Sequence, residues 1–119
     1  MKGTNLQIQE ELLLAKQSRI EGNEGRARVC ARRAAGAAAQ GYLLKTGYCE
    51  QIENIMESLR SMKRELDLPE RVEMAIDFLL QRVDLDHNLP PEIDLIAEAE
   101  TVIEYLNTSE QDQLSLSHE

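Results

Sequence analysis

The chain has no tryptophan, one phenylalanine and three tyrosines. Tyr42, Tyr48 and Tyr105 are too few to line a path on which single-stranded bases would stack. Cysteine is also scarce. Cys30 and Cys49 alone make no disulfide framework, and that is the pattern of a reduced, cytoplasmic protein. No apolar run reaches the length of a membrane span, and no basic-then-apolar start marks a secretion signal. A period-two alternation is missing throughout, so no strand is expected. Gly22, Gly25, Gly36, Gly41 and Gly47 follow no strand and cannot build a phosphate loop. Neither cysteine has the neighbours of a nucleophile, and no metal site or cofactor is read from the sequence.

Basic charge is in short supply as well. The net charge is −9, with 13 Lys/Arg against 22 Asp/Glu. Its distribution is uneven. Residues 1–49 hold eight basic against four acidic residues, leaving +4; residues 50–119 hold five against eighteen, leaving −13. An acidic chain is a poor general binder of nucleic acid, which excludes DNA as an expected partner. Any anionic ligand is expected at the basic part of the first half.

What is present is helix. The segment from Gly25 to Gly47 holds four arginines and a run of alanines in one unbroken helical pattern. At 100° per residue, Ala27, Cys30, Ala31, Ala34, Ala37, Ala38 and Gly41 form one broad apolar stripe with almost no bulk. Such a face admits close approach of neighbouring helices, which must then carry the large side chains. Arg28 and Arg32 share a second face, and Arg26 and Arg33 a third.

In chain order, a first helix is expected from the capping-box pattern Thr4-x-x-Gln7, with Leu6, Leu13 and Ile20 as its inner stripe and Leu12 beside it. Gly22 is placed to end it and Asn23 to start the central helix, so the two form an antiparallel hairpin. Thr46-Gly47 ends the central helix. Ile52, Ile55, Met56, Leu59, Met62 and Leu66 mark a third helix. A capping box at Asp67-x-x-Glu70 opens a fourth on Val72, Ala75, Ile76, Leu79, Leu80 and Val83. A loop from Asp84 to Pro91 leads to a fifth, from about Glu92 to Leu106, on Ile93, Ile96, Ala97, Ile103 and Leu106. The expectation is an all-α antiparallel up-and-down bundle of five helices over residues 1–107, with residues 108–119 a flexible polar tail.

The hairpin resembles the paired first helices of HEPN domains. The resemblance rests on Leu6–Glu21, the Gly22 turn, and Ala27, Ala31-Arg32, Ala34-Ala35, Tyr42-Leu43 and Gly47, and covers roughly residues 5–107. It implies a small helical bundle that dimerises. Some such proteins are ribonucleases of toxin–antitoxin systems; others are non-catalytic partners of nucleotidyltransferase-like proteins. The ribonucleases carry R-x4-6-H near a late helix. The matching residues here are Arg82 and His87, separated by Val83-Asp84-Leu85-Asp86. By that resemblance Arg82 would hold the scissile phosphate and His87 would move the proton of the 2′-hydroxyl, without metal. Val83 departs from the family's polar preference, and Asp84 and Asp86 repel a phosphate.

Two further features bear on ligand binding. Arg26, Arg28, Arg32 and Arg33 have the chemistry to bind a nucleotide or RNA, against pairing with the acidic later helices. Glu50-x-x-Glu53 and Glu70-x-x-Glu73 are similar to the paired motifs that hold Mg²⁺ in all-α nucleoside triphosphate pyrophosphatases. Their phase sets them opposite the apolar stripes of two separate helices, where they do not converge on one ion. The sequence therefore reads as a non-catalytic homodimeric binding module, with a metal-independent ribonuclease as the alternative.

Overall fold

The computed structural model describes residues 2–47, 54–81 and 93–117. Among them are five α-helices and no strand: α1 (Lys2–Ile20), α2 (Glu24–Lys45), α3 (Ile55–Glu65), α4 (Glu70–Leu80) and α5 (Leu95–Ser117). The α1–α2 turn follows local chemistry. Gly22 has φ +86°, and the Asn23 side chain accepts from the Arg26 backbone N–H at 3.1 Å. Gly47, at φ +83°, follows α2. The Asn54 side chain caps α3 by accepting from the Met56 N–H at 2.8 Å, and Asp94 caps α5 by accepting from Ile96 at 3.0 Å.

Neither α1 nor α4 starts where its expected capping box would place it. α1 begins at Lys2, ahead of Thr4. The residue preceding α4 is Pro69, and no side chain caps that helix, so Asp67 stands too far out to serve. α5 continues through Ser117, past the last apolar turn, with no Gly or Pro to interrupt it.

α2 is the hub of the fold. It packs against α1, α3 and α5 and touches α4, while α5 also covers α4. Its small-residue stripe is buried as expected: Ala27, Ala31 and Ala34 are fully covered, Cys30 and Ala37 nearly so, and Ala38 is buried to 9% exposure. Bulk comes from the surrounding helices, through Leu59 and Met62 of α3, Ile76 and Leu79 of α4, and Leu95 and Val102 of α5.

The inner face of α1 differs from the expected one. Ile8, Leu12, Ala15 and Ser18 are buried, whereas Leu6, Leu13 and Ile20 lie on the outside. α1 carries two apolar stripes, and the one mixing large and small residues is seated in the core. On α5, Ala97 is exposed, and Leu95, Ala99 and Val102 join Ile96, Ile103 and Leu106 inside.

Polar contacts tie the helix ends together. Arg19 at the end of α1 donates to both Glu24 oxygens, at 3.0 and 2.6 Å, and to Asp94 at 2.7 Å. One guanidinium thus joins α1 to the starts of α2 and α5. Arg71 of α4 holds the mostly buried Glu98 of α5 at 2.8 Å, Lys63 of α3 pairs with Asp77 of α4, and Lys16 reaches Glu100 at 3.1 Å.

Candidate cationic face of the central helix

The four arginines of α2 divide by helical phase. Arg28 lies part-buried beside Glu24, one turn back on the same helix, at 3.7 Å. Arg32 reaches the end of α4, where its Nε donates to the Leu79 carbonyl at 2.8 Å and its Nη2 to the Gln81 carbonyl at 2.9 Å. The last carbonyls of a helix carry partial negative charge and lack intrahelical donors, so a guanidinium is well matched to them. Arg28 and Arg32 therefore act within the fold.

Arg26 and Arg33 point outward and are exposed. Neither makes an ion pair or side-chain hydrogen bond with a described residue, while Arg19, Arg28, Arg32, Arg60, Arg64 and Arg71 all do. Seven residues of helix separate the two by about 10.5 Å along the axis. Val29, 43% exposed, stands between them in height, roughly 40–60° round the helix from their line. The face is an apolar side chain beside two cations that pair with no described residue.

Beneath it lies Cys30, 2% exposed. Burial pushes its thiol pKa up, the nearby Glu11 carboxylate adds to that, and Arg33 and Arg26 pull the other way. The cysteine is buried, as expected, and burial favours the neutral thiol. Glu11 reaches in from α1, and its Oε1 is buried without a hydrogen-bond partner among the described residues.

Arg82, His87, Cys49, Glu50 and Glu53 lie outside the described residues. Glu70 and Glu73 are exposed on α4. Among the described residues no three His, Cys, Asp or Glu side chains gather as metal ligands, and no helix is long and apolar enough to cross a membrane.

Sequence reasoning missed Arg19, whose partner Asp94 is 75 residues away. It also missed the fit at Gly36. A Cβ there would collide with Ile55 and lie 2.9 Å from its carbonyl oxygen, so α3 starts directly against the α2 backbone. A glycine in mid-helix was the available signal.

The fold and this face together define an all-α bundle with a localised cationic surface on its central helix. No family model, curated protein or solved structure matches the chain.

Proposed function

We propose that the chain is a non-catalytic helical binding module, of the HEPN-like type its first two helices resemble, and that the outer face of α2 engages an anionic partner. The observation that supports this is the pair of exposed arginines without ion-pair partners among the described residues, in a chain of net charge −9. Acidic side chains outnumber basic ones, so an uncommitted arginine is the less usual case here.

The spacing favours one kind of partner. Two guanidinium stems about 10.5 Å apart along the helix match carboxylates about two turns apart on a partner helix. They suit an acidic protein segment whose carboxylates straddle an apolar residue resting on Val29. A nucleotidyltransferase-like protein is the partner class that the HEPN resemblance suggests. The remaining negative charge of the bundle repels such a partner at long range, so affinity has to come from short-range pairing at this face.

The test is a binding titration with a fluorescent helical peptide bearing Glu–Leu–Glu at turn spacing, beside ATP and a short single-stranded RNA. Peptide binding that drops on the order of tenfold or more in the Arg26→Glu/Arg33→Glu double variant supports the reading. Equal binding by parent and variant overturns it. RNA cleavage in EDTA by the parent, abolished by His87→Ala, would replace it with the ribonuclease.

A further inference from the structure

The outer surface of α1 carries an apolar line that nothing among the described residues covers. Leu6, Leu13 and Ile20 are 61%, 66% and 85% exposed, while Ile8, Leu12 and Ala15 on the opposite side are buried. Single exposed leucines are ordinary, but three at seven-residue intervals fall almost on one line along a helix. The line spans about 21 Å, roughly three-quarters of α1.

We propose that this line is the seam of a homodimer in which α1 packs antiparallel against α1 of a second copy, about a two-fold axis at Leu13. The occupant is a second copy because the pattern is its own complement. Leu13 stands seven residues from both Leu6 and Ile20. A two-fold axis there sets Leu13 on Leu13 and each Leu6 on an Ile20 of the copy, satisfying both halves at once.

The polar borders agree with this pairing. Glu10 and Gln17 run along one side of the line, and Gln9 and Lys16 along the other. In an antiparallel helix pair each border meets the same border of the copy, so Glu10 faces Gln17 and Lys16 faces Gln9. No acid meets an acid and no base meets a base. That matters for a chain of charge −9, whose copies repel each other at a distance. Antiparallel packing also opposes the two helix dipoles. The seam lies on α1, away from Arg26 and Arg33, and stands whether or not α2 binds an acidic partner.

The experiment is sedimentation equilibrium of the full chain from low to high micromolar concentration, with Leu13→Glu, Leu13→Lys and an equal mixture of the two. Residue 13 is exposed, so both variants should fold, and circular dichroism verifies that. The parent should dimerise. Each variant alone sets like charges face to face and should weaken the dimer on the order of tenfold or more, and the mixture should restore it as a heterodimer. A parent that stays monomeric, or variants that dimerise like the parent, overturns the proposal. Direction is read by disulfide trapping with Cys49→Ser. Leu6→Cys should cross-link to Ile20→Cys and not to itself; self-cross-linking of Leu6→Cys overturns the antiparallel arrangement.

Discussion

At Gly36 the backbone of α2 meets the start of α3 with no room for a side chain, because a Cβ would press on the Ile55 carbonyl as well as its side chain. Overpacking of this kind costs about 1–3 kcal/mol, and the better helix propensity of alanine returns up to about 1 kcal/mol. Gly36→Ala should therefore lower unfolding stability by about 1–2 kcal/mol, read from the urea midpoint. Ala34 is fully buried in the small-residue stripe, and Ala34→Leu should cost about 1–3 kcal/mol. An unchanged melting midpoint would place that stripe in water. Ser58 has the opposite character. Its Oγ is buried with no hydrogen-bond partner among the described residues. An unsatisfied hydroxyl costs about 1–3 kcal/mol of desolvation, so Ser58→Ala should be neutral or stabilising in the same measurement.

At the scale of elements, charged side chains hold helix ends in place. Arg32 occupies the C-terminal carbonyls of α4, and Arg32→Met should loosen that end, raising amide exchange in the last turn of α4 and costing about 1–3 kcal/mol. Arg32→Lys should not restore it, since an ammonium cannot span two carbonyls with one planar fork.

The Arg19 junction has a pH signature. Hydrogen bonds that Arg19 donates to Glu24 and then to Asp94 raise the guanidinium's pKa. The Arg19 hydrogen bond lowers Glu24. Burial pushes Asp94 upward, but Arg19 and the Ala97 and Ile96 N–H groups outweigh it and leave its pKa lowered. Carboxyls with depressed folded pKa values stabilise the fold above their ordinary values, 4.5 for Glu24 and 3.8 for Asp94. That contribution is lost as pH falls through the folded values. Arg19→Gln should flatten the loss of stability on acidification below about pH 4.5, as followed by thermal melts across that range. The groups are partly exposed, so the effect is that of a screened junction.

For the whole molecule the governing quantity is the uneven charge. Residues 50–119 carry all of the negative excess, and the fold turns two basic residues of the first half toward it through Lys16–Glu100 and Arg19–Asp94. A net charge of −9 still repels itself. Raising ionic strength from about 0.01 to about 0.15 M shortens the Debye length from about 30 to about 8 Å. The melting temperature should rise over that interval. A fall would mean that the cross-helix ion pairs outweigh the long-range repulsion.

The sequence by itself determined the helical class, the α1–α2 turn and the small-residue face of α2. These depend on neighbours close in the chain: Gly22 for a left-handed backbone, Asn23 for a cap, and alanines recurring at helical period. Only the tertiary structure decided which stripe of α1 is inside. Leu6/Leu13/Ile20 and Ile8/Leu12/Ala15 are both apolar lines, and burial, not periodicity, separates them. The candidate site followed the same division. Helical phase had already set Arg26 and Arg33 apart from Arg28 and Arg32. Which pair stays open was settled by where α4 ends, because the Leu79 and Gln81 carbonyls reach Arg32 from 47 and 49 residues away. Partners that distant in the chain leave no periodic trace in it, so only packing brings them together.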